Sequence, residues 1–364
     1  MASSPQDIPS EMLAVQVVKY NAPLAIHKVP TPSVSKIGPY DLILRTAVAS
    51  LCHTDLMVLG GVFGSPLPIT MSHEGTGVVV AKGSAVAAEF QLGDRVMTGI
   101  KLHACGRCIN CTAPADRHWS QYCFDSDGAT GIKSDGAFAE YHVADSRESC
   151  VIPDAVSFAT AAPLACAGLT VYRAVVASGV AAGGWLAIVG AGGGLGHFGV
   201  QFAKAKGINV VAVDARDDGL EIARRAGADH VLDARGGKAQ LADKVRSLTG
   251  GLGVEATINV SDHPSTAALS VAITRMHGTV VQAAQPEEIA VPFQDVVLRD
   301  VTIKGTMYGD RDTAQEMLAV VARHDIKAET QAFDGLAEVP TMVDLLERGA
   351  VNGKAICVVD RTLV

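Results

Sequence analysis

A glycine-rich turn between two apolar runs constrains the fold of this chain more than any other stretch. Trp185–Val189 is wholly apolar and has the length of a buried strand. The chain then turns through the glycines between Gly190 and Gly196, and apolar residues recur at helical spacing after them. A second apolar run, Asn209–Asp214, closes on a carboxylate. This order of strand, glycine loop, helix, strand and acid predicts a βαβ unit that binds a dinucleotide.

Each part of this unit has a chemical role in cofactor binding. Side chains in the glycine loop would keep a pyrophosphate from the free amides and the positive dipole end at the helix start. Asp214 can accept hydrogen bonds from both ribose hydroxyls of NAD and would repel the 2′-phosphate of NADP. Arg216 leaves NADP open as an alternative, because an arginine beside the acid can pair with a 2′-phosphate. The expected cofactor contacts of this unit are Gly190, Gly193, Gly194, Leu195, Gly196 and Asp214.

Length and charge limit the remaining possibilities. A chain of 364 residues exceeds what one hydrophobic core usually serves, which predicts two domains. The net charge of −8, with no basic cluster, argues against nucleic acid or an anionic membrane as a partner. Residues 174–203 carry no charge, but glycines divide them into helix, turn, strand and loop, so we do not expect a membrane span. The N-terminal segment has no signal-peptide pattern, which predicts a cytoplasmic protein.

The pattern of apolar residues changes near residue 155. Before it, short apolar segments alternate with Pro- and Gly-marked turns, as in a β-rich domain. After it, strand and helix patterns alternate, which predicts a doubly wound parallel sheet. The C-terminal part predicts a helix over 313–323, a short loop, a helix over 339–347 and a last strand over 355–359.

The cysteines divide into a clustered set and a dispersed set. Four of them lie close together in sequence, and a chain without secretory features favours metal ligation over disulfides. Four thiolates can enclose a tetrahedral Zn²⁺ completely, which predicts a structural zinc site. The predicted ligands are Cys105, Cys108, Cys111 and Cys123.

No local spacing connects Cys52, His73 and Cys166. Taken alone, His73 fits a buried strand-end histidine and Cys166 a small core residue of an Ala-rich helix. The residue pattern by itself therefore favours packing roles for both.

Several ordered motifs together change that interpretation. They are Cys52-His-Thr-Asp55, His73-Glu-Gly-Thr-Gly77, Gly93-Asp-Arg-Val96, the cysteine cluster, Ala161 to Tyr172, Gly190 to Gly196 and Gly305-Thr-Met-Tyr-Gly309. With them, the chain from about residue 12 onward resembles the zinc-dependent medium-chain alcohol dehydrogenases, closest to the yeast-type tetrameric branch. The resemblance implies a β-rich GroES-like catalytic domain over 1–166 and 310–364, with a zinc lobe at about 103–124. It also implies a Rossmann NAD-binding domain over 167–309 and assembly as a homodimer or homotetramer.

The resemblance also implies a catalytic centre. Cys52, His73 and Cys166 would hold a second, catalytic Zn²⁺, with Glu74 as an occasional ligand. This zinc would act as a Lewis acid while hydride passes between NAD(H) and a small-molecule alcohol, aldehyde or ketone. The remaining implied roles are proton transfer for Thr54, orientation of the imidazole for Asp55, and pyrophosphate contacts for His53 and Lys354.

Some positions depart from the family pattern. Met57 stands where relatives have the histidine of a proton relay, so the relay is truncated. The fourth cysteine of the lobe comes later than usual, which leaves His118 as an alternative to Cys123 as fourth ligand. Gly219 replaces a lysine near the adenosine. Leu102 replaces a bulky tryptophan, which predicts a substrate larger than ethanol.

Two other functions stay open at this point. One is a zinc-containing reductase of a conjugated C=C bond or an iminium, a reaction for which the loss at Met57 would be harmless. The other is a non-catalytic NAD-binding protein, which would be expected to lose its metal ligands first.

Overall fold

The computed structural model describes residues 8–113 and 119–364. The strands in chain order are β1 (Glu11–Val17), β2 (Ala25–Pro30), β3 (Asp41–Ser50), β4 (Ile69–Thr70), β5 (Glu74–Lys82), β6 (Arg95–Met97), β7 (Lys101–Leu102), β8 (Gly128–Ala129), β9 (Tyr141–Asp145), β10 (Cys150–Val151), β11 (Trp185–Val189), β12 (Asn209–Asp214), β13 (His230–Asp233), β14 (Val254–Asn259), β15 (Thr274–Gln282), β16 (Thr302–Gly305), β17 (Thr330–Asp334) and β18 (Lys354–Val358). The α-helices are α1 (His53–Leu59), α2 (Phe158–Pro163), α3 (Leu169–Ser178), α4 (Gly196–Ala205), α5 (Asp217–Arg225), α6 (Lys238–Leu248), α7 (Thr266–Ile273), α8 (Phe293–Val297), α9 (Arg311–His324) and α10 (Val339–Glu347).

The chain forms two compact units. The first comprises Met1–Cys166, Gly309–Asp325 and Thr330–Val364, and the second comprises Ala167–Tyr308 and Ile326–Glu329. The sequence-based division kept 310–364 in one piece, whereas the structure assigns the short segment 326–329 to the second unit. This segment has hydrogen bonds there, because the backbone amide of Lys327 donates to Gln201 Oε1 at 3.1 Å.

The first unit is β-rich, as expected of a GroES-like domain. Its largest sheet has the strand order β10-β6-β5-β3-β18-β17, and β9 also pairs with β3. The strand β3 lies between β5 and β18, and Ser50 at its end is opposite both Glu74 and Ile356. The end of β3 and the beginnings of β5 and β18 therefore meet at one place in the sheet.

The strand β17 differs from the prediction. The sequence predicted a loop there, but Thr330–Asp334 pairs in parallel with β18 along its whole length. Its side chains alternate between exposed and half-buried positions at the edge of the sheet. With so few apolar residues, the segment has too little hydrophobic periodicity to be recognised as a strand.

One continuous helical segment carries the last residue of the first unit. It begins at Ser157, whose hydroxyl accepts a hydrogen bond from the backbone amide of Thr160 at 3.1 Å, and runs over Phe158–Ser178. Pro163 ends α2 and a π-helical turn, Leu164–Gly168, follows. The segment is long and apolar enough to cross a membrane, but 78% of its most apolar window is buried inside the protein. It is therefore a core helix, and its apolar character reflects packing.

The second unit confirms the doubly wound parallel sheet. Its six strands have the order β13-β12-β11-β14-β15-β16, and every neighbouring pair is parallel. The apolar runs that predicted buried strands supply core residues such as Ala187, Val189, Val211 and Val213. The strand order reverses between β11 and β14, which is the position where sheets of this type bind ligands. The glycine loop follows β11 at that point.

Candidate active site and metal centres

Four side chains that are distant in sequence converge in the first unit. Each of them offers one ligand atom, and these atoms lie within 4.8 Å of one another; the residues are Cys52, His73, Glu74 and Cys166. Cys52 directly precedes α1, Glu74 begins β5, and Cys166 lies in the π-helical turn. The convergence of strand ends described above thus brings together residues that no sequence spacing connects.

The imidazole of His73 shows that this cluster fits a metal ion. The residue is 1% exposed, and neither ring nitrogen has a hydrogen-bond partner within residues 8–113 and 119–364. A buried imidazole without partners is costly, and a metal ligand bond removes that cost. Two sulfurs and one imidazole nitrogen form a donor set that zinc prefers, with a fourth place available.

The two cysteines of the cluster have opposite pKa shifts. The hydrogen bond from Cys166 lowers the pKa of Cys52 well below its usual value, against the effect of burial. The same hydrogen bond, together with burial, raises the pKa of Cys166. The lowered pKa of Cys52 favours the thiolate, which is the form of cysteine that binds a metal.

Asp55 is held in place behind His73. Its carboxylate accepts hydrogen bonds from the backbone amides of Cys52 at 2.8 Å and Ser72 at 3.0 Å. It lies 3.6 Å from Nδ1 of His73, which is slightly longer than a hydrogen bond. Burial is the largest single effect and acts to lower the pKa of His73, but Asp55 and Cys52 together outweigh it and raise that pKa above the usual value. Ser72 adopts the left-handed conformation, with φ of 72°, immediately before the histidine.

Lys354, to which the resemblance gives a pyrophosphate contact, has a buried side chain in the first unit. Only 5% of the residue is exposed. Its Nζ donates to the carbonyl oxygen of Leu51 at 2.8 Å and lies 2.6 Å from the carboxylate of Glu74. The ammonium group is therefore directed toward the metal-ligand cluster and away from solvent.

His53, Thr54 and Met57 all lie on α1, which begins at this cluster. His53 is exposed, whereas Thr54 and Met57 are half-buried. The hydroxyl oxygen of Thr54 is 3.8 Å from Sγ of Cys52. Thr54 is thus next to the predicted metal centre, and Met57 follows it within one helical turn.

The four clustered cysteines form a second candidate metal centre. Their sulfur atoms all lie within 4.8 Å of one another, and the residues are Cys105, Cys108, Cys111 and Cys123. All four are free thiols. Backbone amides of Cys108 and Cys105 donate to the sulfurs of Cys105 and Cys123, each at 3.3 Å. The pKa of the Cys108 thiol is lowered to about 6, mainly by a hydrogen bond from the backbone amide of Cys111. His118, the alternative fourth ligand, lies outside the described residues.

The glycine loop and Asp214 form a third site, within the second unit. A cavity of about 710 Å³ is lined by both ends of this motif, including Gly190, Gly193, Asp214 and Arg216. The other predicted contacts, Gly194, Leu195 and Gly196, are not among its lining residues. A Cβ atom on Gly196 would lie 2.2 Å from the carbonyl oxygen of Gly190, so this glycine is required by packing of the helix on the loop.

Gly192 is a residue of this site that the sequence analysis missed. Its amide donates to the carboxylate of Asp214 at 2.9 Å, and a Cβ atom on it would lie 2.0 Å from the carbonyl oxygen of Gly219. The amides of Ala215 and Arg216 donate to the other carboxylate oxygen of Asp214, at 2.9 and 3.0 Å. In the sequence, this role was indicated by the extra glycine in the loop between Gly190 and Gly196. It allows α5 to approach closely enough for the loop to hold the acid.

The chain is similar to known dehydrogenases. Two family models match, an alcohol dehydrogenase GroES-like domain over residues 38–154 and a zinc-binding dehydrogenase over residues 194–323. The chain is 35% identical to Alcohol dehydrogenase 1 of Emericella nidulans, over 95% of this chain and 97% of that protein.

Solved structures agree with these matches. The alcohol dehydrogenase of the archaeon Aeropyrum pernix has a TM-score of 0.83 at 31% identity, covering 95% of this chain and 99% of that one. A solved NAD-dependent alcohol dehydrogenase has a TM-score of 0.86 at 28% identity, covering 96% and 100%. The chain therefore belongs to the zinc-dependent alcohol dehydrogenases of the medium-chain dehydrogenase/reductase family.

Proposed function

We propose that this enzyme transfers a hydride between NAD(H) and an alcohol, aldehyde or ketone at the centre formed by Cys52, His73 and Cys166. The observation that carries the proposal is the buried imidazole of His73, which has no hydrogen-bond partner in the described part of the chain and lies beside two sulfur atoms. A zinc ion held by these three residues supplies Lewis-acid chemistry that favours loss of an alcohol proton or polarises a carbonyl group.

The surrounding residues prepare this centre for the reaction. Asp55, anchored by two backbone amides, places its carboxylate 3.6 Å from Nδ1 of His73, where it favours the ring orientation that binds a metal. Thr54 is close enough to the cluster to exchange a proton with the substrate hydroxyl through its own hydroxyl. An NADH-oxidation assay with His73→Ala tests these roles. The expected result is loss of activity together with one zinc per chain, and an active variant would contradict the proposal.

The preferred cofactor in this proposal is NAD. Asp214 is 6% exposed, and three backbone amides fix its carboxylate at the cavity that also contains Gly190 and Gly193. A fixed carboxylate there accepts from the ribose hydroxyls and disfavours a 2′-phosphate. Arg216, 3.5 Å from Asp214, is the neighbouring group that favours NADP. Comparing kcat/KM for NADH and NADPH decides between them, and Asp214→Gly is expected to shift the preference toward NADPH.

We infer a second, structural zinc in the cysteine lobe. Its support is the set of four converging thiols, two of whose sulfurs accept hydrogen bonds from backbone amides. Such a set leaves no place for substrate and stabilises a lobe with little core of its own. We infer further that the enzyme belongs to the yeast-type branch, is cytoplasmic and forms a homodimer or homotetramer. Light scattering of the purified enzyme tests the oligomeric state.

The proposed substrate is larger than ethanol. The support is Leu102, which stands where ethanol-specialised relatives have a bulky tryptophan, and one such change alters discrimination by about 1–3 kcal/mol. A series of aldehydes and ketones of graded size tests this, with the highest kcat/KM expected beyond acetaldehyde.

Met57 favours one further candidate, the reduction of a conjugated C=C bond or an iminium. This residue is half-buried on the same helix as Thr54 and cannot carry a proton. Neither of these reductions needs proton delivery to an oxygen atom. Including enones in the same screen distinguishes the two activities.

A further inference from the structure

Lys354 contacts the metal-ligand cluster in a way that the proposed reaction does not explain. Its ammonium group has two acceptors, the carbonyl oxygen of Leu51 at 2.8 Å and the carboxylate of Glu74 at 2.6 Å. Leu51 directly precedes Cys52, and Glu74 directly follows His73. The residue is 5% exposed, so both contacts are buried.

The sheet fixes this position. Ile356 of β18 is opposite Ser50 of β3, and the backbone amide of Leu51 donates to the carbonyl oxygen of Ala355 at 2.9 Å. Continuing that antiparallel register places Lys354 opposite Cys52. Lys354 is the first residue of β18, the strand that pairs with β3, and β3 ends two residues before Cys52. The pairing of these two strands therefore brings the lysine to the cluster.

The contact has a chemical consequence for Glu74. A carboxylate oxygen of Glu74 lies within 4.8 Å of the ligand atoms of Cys52, His73 and Cys166. A carboxylate is a good zinc ligand, and with two thiolates and an imidazole it would complete a closed tetrahedral set. A closed set leaves no place for substrate.

The charge of Lys354 opposes that closure. Its Nζ lies 2.6 Å from a carboxylate oxygen of Glu74, and both side chains are almost fully buried. This close buried ion pair offers Glu74 a partner other than the metal. A buried carboxylate that lost this partner would be left with an uncompensated charge.

We infer that Lys354 is a positioning residue that holds the carboxylate of Glu74 away from the catalytic zinc and so keeps the fourth coordination place open. The inference rests on the proposed function, because it requires a metal ion at this centre.

Cobalt(II) substitution with azide as an added ligand tests the inference without measuring activity. The visible absorption of cobalt reports its ligands, and azide binds only at an open place. In Lys354→Met the carboxylate takes that place, and we expect a changed cobalt spectrum and azide affinity weakened by about tenfold, as for competition by a tethered ligand. The double variant K354M/E74Q regains the azide affinity of the wild type.

The matched control is Lys82→Met, which removes another partly buried lysine that donates to a backbone carbonyl, that of Phe90. This variant keeps the spectrum and azide affinity of the wild type. If Lys354→Met binds azide as tightly as the wild type and keeps its spectrum, the inference is overturned. Weakened NADH binding with an unaltered spectrum would likewise overturn it and support a phosphate contact.

A second variant keeps the test decisive if Lys354→Met does not fold. Glu74→Gln in the presence of Lys354 should leave the cobalt spectrum unchanged, since Glu74 is not a ligand in the wild type. A changed spectrum would show that Glu74 already coordinates the metal and would overturn the inference. A wild-type chain that takes up cobalt only in the cysteine lobe would instead overturn the proposed function, and this inference with it.

Discussion

At the scale of single residues, His142 links the stability of the first unit to pH. Its ring nitrogens lie 2.8 Å from the hydroxyls of Thr46 and Thr98, and burial lowers its pKa from 6.5 to about 4. The unfolded chain therefore takes up a proton at a pH where the folded chain does not. Stability falls as pH drops from 6.5 toward 4, by up to about 3 kcal/mol.

The variant His142→Gln is expected to lose this pH dependence while keeping a polar side chain between the threonines. Thermal unfolding of both proteins from pH 7 to pH 4.5 measures it. The melting temperature of the wild type should fall more steeply than that of the variant. Parallel curves for the two proteins would show that His142 is not the titrating group.

Met57 makes a prediction about proton transfer. Because a thioether cannot ionise, the pH profile of hydride transfer should lack an ionisation that depends on residue 57. A Met57→His variant is expected to turn over faster near neutral pH, as read from single-turnover NADH oxidation. An unchanged pH profile in that variant would count against a truncated relay.

Gly192 makes a prediction about cofactor binding. A Cβ atom on Gly192 would lie 2.0 Å from a backbone oxygen, so Gly192→Ala must displace α5 or the loop. We expect NADH affinity to fall by about tenfold or more, measured by fluorescence titration, with zinc content unchanged. The matched control is Gly305→Ala in the same unit, where a Cβ atom would meet nothing within 4 Å. Equal NADH affinity for both variants would refute the close approach.

At the scale of elements, the cysteine lobe is expected to depend on its own zinc. Cys108→Ser should remove one of two zincs per chain and lower the melting temperature by about 5 °C or more. Cys150→Ser is the control, because Cys150 is buried in β10 and is not part of either cluster. Metal analysis and calorimetry check both variants. A Cys108→Ser protein with two zincs would contradict the assignment of the lobe.

The elements that could be predicted from sequence are those with strong hydrophobic periodicity. The second unit follows its prediction because buried parallel strands such as β11 and β12 are continuous apolar runs. The strand β17 could not be predicted because it is a polar edge strand whose place depends on pairing with β18. The π-helical turn that carries Cys166 could not be predicted either, because it depends on how the chain packs after Pro163.

At the scale of the whole molecule, the two metal centres differ in how far their ligands could be predicted from the sequence. The lobe could be predicted from spacing, because its ligands are close in the chain. Cys52, His73 and Cys166 come from three separate elements, and only the family resemblance grouped them. The ion pair of Lys354 with Glu74 could not be predicted from the sequence, because it depends on the pairing of β18 with β3.

The central claim is that Cys52, His73 and Cys166 hold a zinc ion. Anomalous X-ray diffraction at the zinc edge, on crystals of the metal-loaded enzyme, tests it most directly. We expect two anomalous peaks per chain, one of them about 2.3 Å from the sulfurs of Cys52 and Cys166 and about 2.0 Å from a ring nitrogen of His73. A single peak, confined to the cysteine lobe, would contradict the account.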